Sequence, residues 1–337
     1  MHWITLQNRA KYIRAIRELF WSWGFTEVDT PLVVAKPGQE PFLDPFETSV
    51  EDAAGRAYPG YLITSPEYAM KKLLAKAALG EAPEFAKIFQ LSHVFRNNED
   101  FGGTHNPEFS MIEWYRLGAT YHDLMDDIEA LLCGLLDLRT RSLAGSSNPV
   151  HEHANPTELI YQGVSINIQR PWARLTVDDA FKKFAGREDA IELAEKDPGE
   201  FYKIFLNEIE PKFRELPYPI FLTEYPASMA ALARKKESDP RVAERFECYI
   251  AGIELANAFS ELTDGVEQRA RFIEEQKERA TLGKPRIELD EEFLSLLSHI
   301  PSAAGISVGV DRVIMLLEDK CDINEVIFWP ARDLFTE

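Results

Sequence analysis

The sequence is short of cysteine. Cys133, Cys248 and Cys321 are far apart and none belongs to a CxxC pair. That excludes a disulfide scaffold and a thiolate zinc site, and it fits a reducing, cytoplasmic setting. Basic charge is also scarce: 37 Lys and Arg face 56 Asp and Glu, a formal net charge of −19. A phosphate backbone needs a basic face, so broad nucleic-acid binding is disfavoured, while a local pocket for one nucleotide is still allowed. No apolar run approaches the roughly 20 residues that span a bilayer. Met1-His2-Trp3 leads into an amphipathic helix without a basic n-region and apolar h-region, so neither a membrane span nor a signal peptide is expected. Internal repeats and a convincing linker are missing too. The 337 residues are therefore read as one domain spanning 1–337 with an insertion near 140–215.

What is present is a mixture of periods. Tyr12, Ile13, Ile16, Leu19, Phe20 and Trp23 recur at helical spacing over 7–23, with Gly24 as a stop. Phe25 to Val34 reads as a strand interrupted by Pro31. Ser65-Pro66-Glu67 starts a helix that runs to about Leu79. Strands are expected near 85–96 and 107–117, joined by a polar turn, and a helix over 121–138. Residues 140–157, with His151 and His153, read as a loop. Helical segments fill much of 176–215, strands return at 219–224 and 243–261, and 264–281 reads as a charged, exposed helix. Residues 305–318 run from strand into helix. Long strands interleaved with helices, without regular βαβα alternation, point to α+β rather than to a doubly wound sheet.

Several residue sets carry chemistry. Along 107–117, Phe109, Met111, Glu113 and Tyr115 share one face of a strand. They combine an aromatic slab, an acid and a phenol, a set able to stack a base and hold an ammonium group. Arg96 ends the preceding strand, and its planar fork suits a phosphate and a carboxylate together. If Ala251-Gly252 is a two-residue turn, Glu247 falls on the same face as Glu254. Two carboxylates on one face repel unless a cation sits between them, and Mg²⁺ takes such oxygen ligands together with phosphates. Arg312 follows Gly309 at a strand-to-helix junction, where anions are favoured and the glycine permits close backbone approach.

Three segments occur in order: Gly24 to Pro31, Phe95 to Tyr115 and Gly305 to Arg312. They resemble motifs 1, 2 and 3 of class II aminoacyl-tRNA synthetases. Thr64-Ser-Pro-Glu67, Tyr225-Pro-Ala-Ser228 and Arg245 to Asp264 narrow the resemblance to the lysyl branch, from about residue 7 to 333. Ile253-Glu-Leu-Ala-Asn257 and Glu113-Trp-Tyr-Arg116 look closer still to the elongation factor P lysine ligases, truncated paralogues without the N-terminal anticodon-binding domain.

The resemblance implies a class II synthetase-like antiparallel sheet flanked by helices and a homodimer. It implies activation of lysine or β-lysine with ATP and Mg²⁺, and transfer to a lysine side chain of elongation factor P, with tRNA binding disfavoured. Two alternatives stand beside this: a ligase with another acceptor (tRNA, a carrier protein or a small amine), and a non-catalytic paralogue that senses amino acid or nucleotide.

By resemblance, Arg96 and Arg312 are catalytic. Arg96, Glu99, His105, Phe109, Gly309 and Arg312 bind ATP. Glu67, Glu113, Tyr115, Asn257, Glu261 and Ser307 bind the amino acid, and Glu247 and Glu254 bind metal. Either Asn98 or Glu99 fills the family's glutamate position; Glu99 is preferred because it keeps the acid. In the family Glu254, Asn257 and Glu261 line one site, which simple pleating forbids, so a bulge or bend is expected near Leu255–Asn257. Ser307 stands where the synthetases carry Gly and the elongation factor P ligases Ala, which leaves open the choice among α-lysine, β-lysine and another diamino acid.

Overall fold

The computed structural model describes residues 3–143 and 157–336. The 140–157 loop, with His151 and His153, lies almost wholly outside them. The helical spacing of the first segment gives α1 (Trp3–Ser22), closed by Gly24 at positive φ. The strand expected over 25–34 is only two short pieces, β1 (Thr26–Glu27) and β2 (Val33–Val34). Pro31 between them has no N–H for a ladder, and β2 joins a separate small sheet with β3 (Glu47–Glu51) and β4 (Ala57–Leu62). Helix α2 (Glu67–Ala78) begins where the Ser65 hydroxyl accepts the Glu67 N–H at 3.0 Å.

The long pair β5 (Lys87–Phe95) and β6 (Glu108–Leu117) is antiparallel in continuous register and leads to α3 (Tyr121–Leu143). Three short strands then appear: β7 (Glu158–Tyr161), β8 (Val164–Asn167) and β9 (Ala173–Thr176). They were not expected, because runs of four residues give little periodicity. Short helices follow: α4 (Val177–Ala180), α5 (Ala190–Lys196), α6 (Pro198–Ile204) and α7 (Glu210–Phe213). Next come β10 (Ile220–Thr223), the ribbon β11 (Lys235–Lys236) and β12 (Asp239–Ala243), and the hairpin β13 (Arg245–Ile250) and β14 (Ile253–Ser260). The chain continues through α8 (Gly265–Thr281), α9 (Glu291–Leu297), β15 (Ala303–Gly309) and α10 (Val310–Leu317).

Eight strands form the main sheet in the order β1-β5-β6-β15-β14-β13-β10-β9. It is antiparallel except at its two edges, where β1 pairs with β5 and β9 with β10 in parallel. The α+β assignment holds, because the six strands from β5 to β10 in this order are paired antiparallel throughout and helical crossover is confined to the edges.

The central strands have two chemically different faces. Ile112 and Trp114, Ile306 and Val308, Ala256 and Ala258, and Phe246 and Cys248 point to one side and pack with α1, α3 and α10. Phe20 is completely buried there, with ring contacts to Trp23, Phe25, Phe89 and Trp114. The alternate residues face the other way, where α2, α8 and α9 enclose a second core around Met70, Leu74, Phe272 and Phe293. Helix α8 is thus not simply exposed. Gln268, Phe272 and Arg279 are buried, and the Arg279 guanidinium donates to the carbonyls of Glu40, Leu43 and Pro285. Phe20→Ala should cost about 3–5 kcal/mol, since four aromatic neighbours cannot all collapse into the void. A denaturant midpoint that moves by much less than this would show that α1 is not bound into the core.

Candidate active site

The polar face of the sheet is the floor of the site, and register decides what meets on it. Ser307 of β15 stands between Glu113 of β6 and Asn257 of β14, and Asn257 pairs in turn with Glu247 of β13. One row below, Gly305 stands between Tyr115 and Phe259, and Phe259 pairs with Arg245. The β13–β14 ladder explains how Glu254 joins them. Tyr249 pairs with Glu254 as the two-residue turn requires, but Cys248 pairs with Ala256, so Leu255 is an extra residue. This bulge reverses the side-chain phase of β14 and turns Asn257 to the side that Glu254 faces. It falls where the sequence reading placed it.

A cavity of about 310 Å³ opens over this floor. Arg96, Glu99, His105, Phe109, Glu247, Glu254, Asn257, Ser307, Gly309 and Arg312 all line it. The Arg96 guanidinium lies 5.1 Å from the Phe109 ring centroid, and its buried Nε has no hydrogen-bond partner. Burial pulls its pKa down, against the pull of Glu99 and Glu254. A half-buried guanidinium with a buried, unanswered Nε–H donor fits an anion such as a phosphate.

Arg312 is held by the carbonyls of Thr104 (3.1 Å) and Glu254 (2.9 Å), and its Nη2 lies 3.1 Å from Nε2 of His105. Burial, and then Arg312, lower the His105 pKa, which favours an Nε2 that accepts. Glu99, not Asn98, is on the cavity wall. Asn98 adopts positive φ and bonds Asp44 at 2.9 Å. Behind the cavity, Asp311 accepts from Arg9 of α1 and from the Ser110 N–H, which ties α10 to β6.

Glu247 and Glu254 face each other closely enough that Glu247 raises the Glu254 pKa, second only to burial. Glu247 is already well held, by Arg245 at 2.7 Å and by the hydroxyls of Tyr225 (2.5 Å) and Tyr249 (2.6 Å). Glu254 is freer, with Arg312 at 3.4 Å. Among the described residues no group of three or more His, Cys, Asp or Glu side chains is placed to hold a metal. Two carboxylates do fit Mg²⁺, which commonly takes one or two from the protein and the rest from phosphates and water.

Glu67, Glu113, Tyr115 and Glu261 do not line this cavity. They form a buried acidic cluster beside Ser307, and Glu67 also lines a separate small cavity with Glu40 and Ser65. Glu113 accepts from Ser65 at 2.6 Å and from the Tyr115 hydroxyl at 2.9 Å. Burial lifts its carboxyl to about 8, with Glu67 adding to the rise. Glu261 is likewise lifted to about 8 by burial, despite Lys71. Lys71 was missed in the sequence. Its ammonium lies 2.5 Å from both Glu67 and Glu261 and over the Phe259 ring. The four-residue spacing of Glu67 and Lys71 on one helix was the available signal, but such pairs are usually solvated. Gly305 was quoted only as part of a motif. A Cβ there would lie 2.1 Å from Cε1 of Tyr115 and 2.5 Å from Oε1 of Glu261, so only glycine lets these two side chains meet over the strand.

The arrangement thus sets a cavity lined by both arginines and carboxylates, a set suited to phosphates with a cation, beside a buried acidic cluster suited to ammonium groups, with Ser307 and Asn257 between them. The model of tRNA synthetases class II (D, K and N) matches residues 4–333. The chain belongs to the class II tRNA synthetase family. Among its relatives in this family is the elongation factor P–(R)-β-lysine ligase of Hamiltonella defensa, 36% identical over 97% of this chain and 95% of that one. Another, of the same name, from Pectobacterium carotovorum is 37% identical over 96% and 94%. A lysine–tRNA ligase of Dehalococcoides mccartyi is 33% identical over 97% of this chain but only 64% of its own length.

Two predictions follow from the pocket. Gly305→Ala should push Tyr115 and Glu261 out of place, cost about 1–3 kcal/mol, and abolish calorimetric binding of lysine while ATP still binds; retained lysine binding would show that the close approach is dispensable. Glu113 and Glu261 hold protons when folded that the unfolded chain, at the ordinary 4.5, has released. Their contribution to stability is therefore complete at low pH and is lost as pH rises through about 8. Between about pH 5 and pH 8 the ligand-free protein should lose melting temperature, and Glu113→Gln should reduce that slope. An equal slope in the variant would place the Glu113 carboxyl back in its ordinary range.

Proposed function

We infer that this chain activates a diamino acid, lysine or β-lysine, with ATP and transfers it to a lysine side chain of elongation factor P. The observation that carries the reading is a cavity with arginines and paired carboxylates set directly beside a buried cluster of acids. The outer cavity offers Arg96 and Arg312 to the phosphates and Glu247 and Glu254 to an accompanying cation, which suits a nucleoside triphosphate, and the buried acids beside it suit a substrate with two ammonium groups. The acceptor comes from the two β-lysine ligases, which this chain matches over nearly their whole length. The net charge of −19 speaks against tRNA as acceptor.

In the first step a carboxylate oxygen of the amino acid attacks the α-phosphorus. The bond to the β-phosphate bridging oxygen breaks, and pyrophosphate leaves an aminoacyl-adenylate. In the second, the acceptor amine attacks the acyl carbon, loses a proton, and releases AMP. No covalent intermediate on the protein is required. Arg96 aligns the carboxylate with the α-phosphate and stabilises the charge that develops there. Phe109 and Arg312 hold the adenine, with Gly309 admitting the nucleotide, while Glu99 and His105 surround the phosphates. Glu247 and Glu254 would hold Mg²⁺, which neutralises phosphate charge. Glu67 takes the α-ammonium, Glu261 with Tyr115 the side-chain ammonium, and Asn257 the carboxylate. Glu113 supports Tyr115 and Ser65.

Pyrophosphate exchange dependent on lysine or β-lysine, followed by a matching mass gain on elongation factor P, is the expected outcome. Exchange with neither would overturn the function; exchange with transfer to tRNA instead would overturn the acceptor. Glu261→Gln should raise the KM for the diamino acid at least about tenfold by removing a buried counter-charge. Ser307→Gly should change the ratio of lysine to β-lysine activation, and an unchanged ratio would mean that this position does not gate the choice.

A further inference from the structure

Lys71 brings a permanent cation into a cluster of acids proposed to bind cations. The side chain is 1% exposed. Its ammonium takes Oε1 of Glu67 and Oε2 of Glu261, one oxygen from each acid. Oε1 of Glu261, beside Gly305 and Tyr115, is buried with no hydrogen-bond donor. A buried ion triad contributes little net stability compared with well-packed apolar side chains, so its persistence calls for another reason.

Charge counting supplies one. Once substrate ammonium groups draw the protons off Glu113 and Glu261, the three acids Glu67, Glu113 and Glu261 against Lys71 leave two negative charges. A diaminoacyl group, once its carboxylate is esterified to AMP, carries two positive charges. Without Lys71 the pocket would hold three acids against two ammonium groups, and one carboxyl would have to keep its proton. Without Lys71 the two bridged acids would also be free to close on a substrate ammonium from either side.

We propose that Lys71 is a positioning residue that fixes both the charge and the spacing of Glu67 and Glu261, so that the pocket accepts an amino acid carrying two ammonium groups. This rests on the diamino-acid reading above. The groups facing the Lys71 ammonium are Glu67 on its own helix, Glu261 beyond β14, and Glu113 on β6. Farther out lie Glu40, which Arg96 also faces, and Glu275 on α8, which Arg271 faces. Burial alone would depress the Lys71 pKa, but Glu261 and Glu67 outweigh it and raise it. The cation therefore persists throughout the working pH range.

The test compares Lys71→Met and Lys71→Arg with the parent in pyrophosphate exchange, after thermal unfolding confirms that each is folded. Lys71→Met should raise the diamino-acid KM at least about tenfold and leave the ATP KM within about twofold. Its acidic limb of kcat/KM should move to higher pH, because the acids lose their internal counter-charge. Lys71→Arg keeps the charge but widens the bridge. The acidic limb should return to the parent position while the diamino-acid KM stays raised. The inference is overturned if Lys71→Met leaves that KM unchanged, or raises both KM values together. If Lys71→Met does not fold, Lys71→Arg decides: a parental diamino-acid KM, or equal loss toward both substrates, overturns the proposal. A parent that exchanges with no diamino acid removes the proposed function and this inference with it; an active parent with insensitive variants removes this inference alone.

Discussion

The pleat of the four central strands governs everything else in this molecule. Side chains alternate strictly between faces, so β6, β15, β14 and β13 can bury one row against α1, α3 and α10 only by committing the other row to the site. Ile112 and Trp114 enter the core because Met111, Glu113 and Tyr115 enter the site. A slip of one residue in any ladder would exchange the two sets, placing a buried glutamate among leucines. The apolar face thus holds the register on which the polar face depends.

That constraint would scatter the acids of β14 if it were obeyed throughout. The extra residue at Leu255 breaks the period once, between the pair Tyr249–Glu254 and the pair Cys248–Ala256. Glu254 and Asn257 then share a face despite their odd spacing. The bulge costs one unpaired position on a central strand and places a carboxylate over the phosphate cavity and an amide at its junction with the acidic pocket.

Electrostatics divides the site along the same floor. Arg96 and Arg312 give the outer cavity two guanidinium groups for an anion, and burial of Glu113 and Glu261 makes the inner cluster a poor place for negative charge unless cations arrive. Lys71 supplies one such cation from the chain itself. The distribution suits a ligand that is anionic at one end and cationic at the other, and class II tRNA synthetases join a nucleotide to an amino acid.

The sequence by itself determined the α+β class, the long β5–β6 pair, the β13–β14 turn and the motif residues around the cavity. Period-two alternation, helix stops and six ordered blocks are all local signals. It also located the bulge, because Glu254, Asn257 and Glu261 could not share a site without one. The short strands β7 to β9 and the buried face of α8 were illegible, since brief or charge-rich segments take their place from the partners they pack against. Asn98 and Glu99 were separated only when the turn was seen to aim one at Asp44 and the other into the cavity. Tertiary structure alone decided the placement of Lys71. An i, i+4 pair with Glu67 is ordinarily a solvated surface feature, and it becomes a buried bridge only because Glu261, nearly two hundred residues later, is folded against it.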